Sequence, residues 1–285
     1  MVDKITKDAI TNCNINIFGN WINDDIEINT NPIKYCIIEN FIKEEVYDKI
    51  LTEIPEKPTD QFYKYNNPIE VKYALDKMEF IGDEIKNLFF ALSHNKLVNK
   101  FKNMFNLDNL EYDPCMHGAG IHFHPRHGRL NIHLDYEKHP ITNKQRRLNI
   151  IYYVNEEWNI GWNGDTQLWD KNMEKCVVKS YPKKNTAIVF ETIEMSWHGV
   201  PDKINCPENI YRKTLAYYYV SPLRNNANTN KLGSNNDGYR SKAVFVKRPQ
   251  DPYDERMDKL YKIRPHRRIT EEDMRKIWPE WDIFY

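Results

Sequence analysis

Leu148-Asn149-Ile150-Ile151-Tyr152-Tyr153-Val154 is apolar or aromatic at nearly every position. That is the composition of a central strand with helices against one face and a packed interior against the other. Working outward, the chain keeps this character from about Ile121 to Ser221. Runs such as Thr186 to Phe190 and Thr214 to Val220 alternate with clusters of Gly, Pro, Asn and Asp, the pattern of short strands joined by turns. Upstream, Tyr35 to Phe41 reads as a strand, and a helix from about Lys43 to Ile54 ends before Pro55. Ile81 to Phe90 and Asn95 to Phe105 carry apolar residues at helical spacing, as two helices buried on a sheet do. Helices first and then six or more short strands predict an α+β fold, with a sandwich or barrel core and helices outside it.

The predicted organisation is an N-terminal extension (1–30), a main domain (31–223) and a C-terminal appendage (224–285). The appendage opens on the polar stretch Arg224 to Gly238, of which Asn225 to Gly238 is expected to be a mobile lid at the site mouth. Helices are predicted near Tyr253 to Lys262 and from the Thr270-Glu271-Glu272-Asp273 start to Ile277. The basic residues Arg264, His266, Arg267 and Arg268 between them read as a solvated face.

Forty-one Lys and Arg balance forty-one Asp and Glu, so the composition gives no global pull toward nucleic acid or anionic membrane. The five cysteines are odd in number, scattered and never in a C-x-x-C pair, which argues against a disulfide framework or a thiolate zinc site and for a reducing compartment. Residues at the N-terminus form no apolar signal region, and no stretch approaches the ~18 apolar residues of a membrane span. A soluble, cytoplasmic protein is the expectation, with its oligomeric state unassigned.

Asn131-Ile132-His133-Leu134-Asp135 is strand-like, and residues two apart on a strand face the same way. His133 and Asp135 therefore converge, and Ser196-Trp197-His198-Gly199-Val200 supplies a third ligand in His198. Two histidines and one carboxylate form a facial triad that leaves three positions of an octahedral iron(II) open, two for a bidentate keto acid and one for dioxygen. Arg212 and Thr214 share a face of a later strand. A guanidinium there binds a carboxylate through two parallel hydrogen bonds while the hydroxyl takes a further oxygen.

These pieces, in order, resemble the prolyl-4-hydroxylase-like branch of the iron(II)/2-oxoglutarate dioxygenases. They run from the strand and helix at Tyr35 to Ile54 through His133-x-Asp135, Arg147 to Asn155, Trp162 to Trp169 and His198-Gly199-Val200 to Arg212-Lys213-Thr214. The resemblance implies a double-stranded β-helix (jelly-roll) core with flanking N-terminal helices. It also implies Fe(II), 2-oxoglutarate and dioxygen, with ascorbate as a further candidate, and release of succinate and carbon dioxide as a C–H bond is hydroxylated. It gives Tyr153 a hydrogen bond to the co-substrate carboxylate. Relatives commonly have two glycines where this chain has Asn163-Gly164. Related halogenases replace the metal carboxylate by a small residue, so the presence of Asp135 favours hydroxylation.

The stretch from His117 to His139 is dense in histidine and invites a zinc reading. Contacts to substrate fit His122, His124 and Arg126 better, because they form the approach to the metal strand, and His117 and His139 read as loop residues. Trp162, Trp169 and Trp197 read first as packing residues, with Trp162 and Trp197 as candidate walls of a substrate cavity. The substrate is a prolyl peptide, a sugar or another small metabolite. A non-catalytic β-barrel binding or scaffold protein is the alternative from another class, and it leaves the triad and Arg-x-Thr unexplained.

Overall fold

A computed structural model describes residues 3–281; the outermost residues of the two terminal segments, 1–2 and 282–285, lie outside it. Strands β1 (Tyr35–Glu39), β2 (Tyr63–Asn67), β3 (Glu70–Leu75), β4 (Glu111–Tyr112), β5 (Gly120–His124), β6 (Arg129–Leu134) and β7 (Gln145–Tyr153) occupy the first half of the fold. They are followed by β8 (Thr166–Trp169), β9 (Cys176–Ser180), β10 (Thr186–Glu191), β11 (His198–Val200), β12 (Arg212–Ser221) and β13 (Val244–Phe245). The helices are α1 (Lys7–Asn12), α2 (Glu44–Glu53), α3 (Asp83–Ser93), α4 (Asn95–Phe105), α5 (Glu255–Ile263) and α6 (Glu271–Ile277).

The main path of the sheet runs β1-β10-β7-β12-β5-β3-β6-β11-β8-β9, antiparallel throughout, and wraps into a nearly closed barrel. This is the jelly-roll core, with helices flanking it. Along β7 the alternation read from sequence holds. Leu148, Ile150 and Tyr152 join the buried cluster that includes Leu88, Phe89 and Phe101 of α3 and α4, while Asn149 and Ile151 line the interior cavity. Each fully buried side chain of this size contributes about 1.5–3 kcal/mol. The tyrosines of this layer have their hydroxyls satisfied: Tyr219 donates to Leu92 O at 2.7 Å and Tyr152 to Asn185 Oδ1 at 2.9 Å, so burial leaves no polar atom stranded there. No helix among the described residues is long and apolar enough to cross a membrane.

The C-terminal segment is built into the barrel. β13 pairs with β6, Val244 opposite Leu134 and Phe245 opposite His133. Leu260 of α5 and Met274 of α6 pack with Phe245 and Ile69, and α6 begins where its sequence predicts, on a Thr270–Asp273 capping box. The reading of Arg264 to Arg268 as a solvated face holds for His266, Arg267 and Arg268, which are exposed, and is corrected for Arg264. Arg264 is 7% exposed and grips the buried Glu70 through two hydrogen bonds of 2.6 and 3.1 Å, and it lines the cavity together with Arg268. A carboxylate far away in sequence supplies the partner that makes its burial tolerable. Residues 225–238, the expected lid, do not line the cavity. Lys231 in that stretch pairs with Glu137 at 2.9 Å and with Glu194 at 3.1 Å.

Candidate active site

The register of the sheet assembles the site. β11 lies beside β6 with His198 opposite His133, which brings the two rings to 4.3 Å between centroids. Asp135, two residues along from His133, places Oδ1 3.6 Å from His133 Nε2 and Oδ2 3.7 Å from His198 Nε2. Ligand atoms from all three residues lie within 4.8 Å of one another. The far nitrogens settle the tautomers. His133 Nδ1 is 2.9 Å from Asn131 O and His198 Nδ1 is 2.8 Å from Ser196 O. A carbonyl only accepts, so both Nδ1 atoms donate and both Nε2 lone pairs face the centre. Burial, with the neighbouring His133, pushes the His198 pKa down to about 4, which keeps that ring neutral as a ligand must be.

Asp135 is kept ionised. Burial pushes its pKa up, but the Arg146 guanidinium and the two histidines outweigh burial and hold it well below the ordinary carboxylate range. Arg146 Nη1 lies 2.9 Å from Oδ2, and Asn149 donates to the same oxygen at 3.3 Å. Arg146 is itself clamped between the rings of Tyr136 and Tyr218, at 3.8 and 3.4 Å from their centroids. Two neutral imidazoles and one carboxylate, oriented by their neighbours and open on the cavity side, are a donor set that fits iron(II).

On the same cavity stands Arg212, 1% exposed. Its Nε donates to Gly164 O at 2.5 Å and its Nη2 to Thr166 Oγ1 at 2.8 Å. Among the described residues it forms no ion pair, and burial pushes its pKa down, opposed by Tyr153 and Asp165. A buried guanidinium without a carboxylate is costly, and this one fits the distal carboxylate of 2-oxoglutarate. Gly164 is at φ +90, and a Cβ there would press on Arg212 Cδ at 3.3 Å and on Trp158 at 3.1 Å. Asn163, where relatives commonly have glycine, takes φ 62 and ψ −150, a conformation that disfavours side chains; its amide donates to Lys203 O at 2.9 Å.

Thr214 and both cavity histidines named from sequence face this space. Thr214 is opposite His122, and Arg212 is opposite His124. His124 is 3% exposed, and neither ring nitrogen has a hydrogen-bond partner; burial and the neighbouring Arg212 hold its pKa well down. Tyr153 lies behind the cavity wall, its hydroxyl 2.8 Å from both Thr166 Oγ1 and Ser180 O and its ring 5.2 Å from the Arg212 guanidinium. Three candidates lie away from the cavity. Arg126 donates to Cys206 O at 2.8 Å. Trp162 packs against Val200, Ile204 and Cys206, and Trp197 against Ile132, Leu134 and Trp169.

His139 is fully buried, its Nε2 3.3 Å from Asp113. Its Nδ1 accepts from the Ile141 and Thr142 amides, both at 3.1 Å. Nε2 therefore bears the proton, and the Asp113-Cys115-His139 group holds loops together with no imidazole lone pair left for a metal.

Sequence reading missed Arg146, Asn149, Thr166, Lys72, Arg264 and Phe245, all of which line the cavity. Strand parity with Ile151 was enough to find Asn149. The others are brought in by long-range pairing that no local pattern signals.

Residues 119–220 match a family described as the 2OG-Fe(II) oxygenase superfamily, and no curated protein matches the chain. Among solved structures the chain is similar to a prolyl hydroxylase from Trichoplax adhaerens, in complex with a hypoxia-inducible-factor peptide fragment. The identity is 17% and the TM-score 0.50, over 73% of this chain and 89% of that one. It is also similar to a Pseudomonas putida prolyl-4-hydroxylase, at 15% identity and TM-score 0.47 over 66% of this chain and 92% of that one.

Proposed function

We propose that this chain, an Fe(II)/2-oxoglutarate-dependent dioxygenase of the 2OG-Fe(II) oxygenase superfamily, hydroxylates an unactivated C–H bond of a prolyl peptide, a sugar or a small metabolite, releasing succinate and carbon dioxide. The observation that carries this reading is the buried Arg212, which forms no ion pair among the described residues, on the same cavity as the His133-Asp135-His198 centre. Iron and 2-oxoglutarate, when bound, supply with dioxygen the oxidising power for C–H hydroxylation.

The side chains have separable tasks. His133, Asp135 and His198 hold the metal, and the backbone carbonyls behind both rings fix their aim. Arg146 keeps Asp135 charged. Arg212 pairs with the distal carboxylate of the co-substrate, and Thr214 and His124 offer it further polar contacts. Tyr153 steadies Thr166, which steadies Arg212. Asp135 occupies the position that a halide would need, which directs the reaction to hydroxylation.

The test is a balance of products. Purified chain with Fe(II) and 2-oxoglutarate in air is expected to form succinate, faster when a metabolite or peptide extract is added, with one compound in the extract gaining a single oxygen atom. Wild-type chain that binds iron yet makes no succinate under any extract would make this a binding protein.

A further inference from the structure

The cavity wall carries more positive charge than the metal and co-substrate account for. Seven Lys or Arg side chains and three carboxylates line it, in a volume of about 450 Å³. Each carboxylate has a cation of its own: Asp135 has Arg146, Glu70 has Arg264 and Asp76 has Lys4. Arg212 is set aside for the distal carboxylate of 2-oxoglutarate. Lys72, Lys77, Lys242 and Arg268 remain, and none of these four forms an ion pair among the described residues.

Two of the four converge on one pair of rings. Lys72 stands opposite Tyr65 in the β2–β3 hairpin, its ammonium 5.2 Å from the ring centroid. The Arg268 guanidinium, coming from the C-terminal segment, lies 4.4 Å from the Tyr63 ring and 5.4 Å from that of Tyr65. Lys72 also faces inward. It is two residues from Ala74, which is opposite the cavity residue His122, and the charges of Glu70 and Asp135 both reach it. Lys72 and Arg268 are like charges over adjacent rings and repel each other, and the carboxylate that acts most strongly on Lys72, Glu70, is already paired with Arg264. A bound anion reverses the sign of that interaction.

We propose that the substrate is a small metabolite bearing an oxyanion, phosphate or carboxylate, which Lys72 and Arg268 hold at the open end of the cavity while the rest of the molecule reaches toward the three-ligand centre. The orientation of the molecule rests on the dioxygenase reading; the anion site does not. A neutral sugar or an uncharged prolyl peptide would leave these cations unpaired.

The experiment titrates iron-loaded chain, saturated with 2-oxoglutarate under nitrogen, by calorimetry with sodium phosphate and separately with sodium malonate. Saturable binding of at least one anion is expected. Lys72→Met and Arg268→Met should each weaken it by about tenfold or more, with 2-oxoglutarate affinity unchanged. Tighter phosphate binding assigns a phosphorylated substrate, and tighter malonate binding a carboxylated one. Arg268 is exposed, so its variant keeps the fold whatever Lys72 contributes. Anion binding that survives both substitutions, or wild-type chain that binds neither anion saturably, overturns the proposal. Wild-type chain that takes up neither iron nor 2-oxoglutarate overturns the dioxygenase reading instead, and the same anion titration on that chain still decides the cation pair.

Discussion

The buried end of the cavity is made by β6, β7, β11 and β12, and there the polar side chains of the centre are aimed by neighbouring groups: backbone carbonyls behind the histidines, Arg146 behind Asp135, Thr166 behind Arg212. The open end is made by the β2–β3 hairpin and by Ser241, Lys242, Arg264 and Arg268. Its cations, Arg264 excepted, rest on aromatic rings or on nothing that the chain supplies. One end is pre-set for reactants that do not vary, a metal and one keto acid. The other is held in place by the tail of the chain and carries the charge that selects a partner. Chemistry and selectivity are thus built on different parts of the sequence, and each is open to separate disruption.

The largest effect is expected at the buried end. His133→Ala or His198→Ala should take iron from about one per chain to none and abolish turnover while the circular-dichroism spectrum stays nearly intact. Iron content measured after anaerobic purification checks this, and a variant that keeps its iron removes that histidine from the centre.

At the open end, Glu70→Gln leaves Arg264 as a buried, unpaired cation. The expected loss is about 3–5 kcal/mol of stability, read by urea denaturation. Its pH dependence has a definite sign. Burial pushes the Glu70 pKa up, but Arg264, by charge and hydrogen bond, overcomes burial and lowers it below the ordinary 4.5. The pair therefore contributes fully above about pH 4.5 and fades as pH falls through the lower folded value. Wild type and variant should differ most near neutrality and converge in acid; a gap that widens on acidification would contradict the pairing.

Arg212→Ala removes the cation facing the co-substrate carboxylate and should cost about 2–5 kcal/mol of 2-oxoglutarate binding. At matched iron occupancy that is a rise of roughly thirty- to several-thousand-fold in the concentration needed for half-maximal succinate formation. Iron affinity should hold. Equal 2-oxoglutarate requirements in the two proteins would place the co-substrate elsewhere.

The smallest effects separate contact from support. His124→Phe deletes two unpartnered ring nitrogens and is expected to weaken 2-oxoglutarate by about tenfold. Tyr153→Phe deletes a hydroxyl that donates to Thr166 and Ser180 and acts on the Arg212 guanidinium. It should cost about 0.5–1.5 kcal/mol of stability and change 2-oxoglutarate affinity less than the His124 variant does. The reverse ranking would mean that Tyr153 reaches the co-substrate and His124 does not.

These two ends also differ in how far sequence reveals them. The barrel strands announce themselves by alternation, so His133 with Asp135, and Arg212 with Thr214, follow from parity once the strands are recognised. Arg146 does not. It sits where β7 and β12 shift register, between Tyr219 and Val220, and a bulge is invisible to a period of two. The cation at 264 looks like part of an ordinary solvated face because the carboxylate that receives it lies in the β2–β3 hairpin, about 200 residues away in sequence; Arg268 is exposed as expected, and nothing local signals the rings it rests on. Trp162 and Trp197 follow the commoner expectation for large aromatics near a motif: both are spent on packing, and neither walls the cavity.

The pairing of β13 with β6 has a bearing on how the protein is made. Phe245 lies opposite His133 and stacks on its ring at 4.9 Å between centroids, so the strand that carries the first metal ligand keeps an open edge until residue 245 has been synthesised. A ribosome releases the chain in order, and the jelly-roll strands through Ser221 emerge before the piece that covers this edge. Nascent and truncated chains therefore leave the His133–Leu134 end of β6, a strand otherwise paired with β3 and β11, without its β13 neighbour and open to other strands. Only the chain that has acquired its tail shields that edge, which makes translation past residue 245 the step at which an iron-holding strand becomes a protected one.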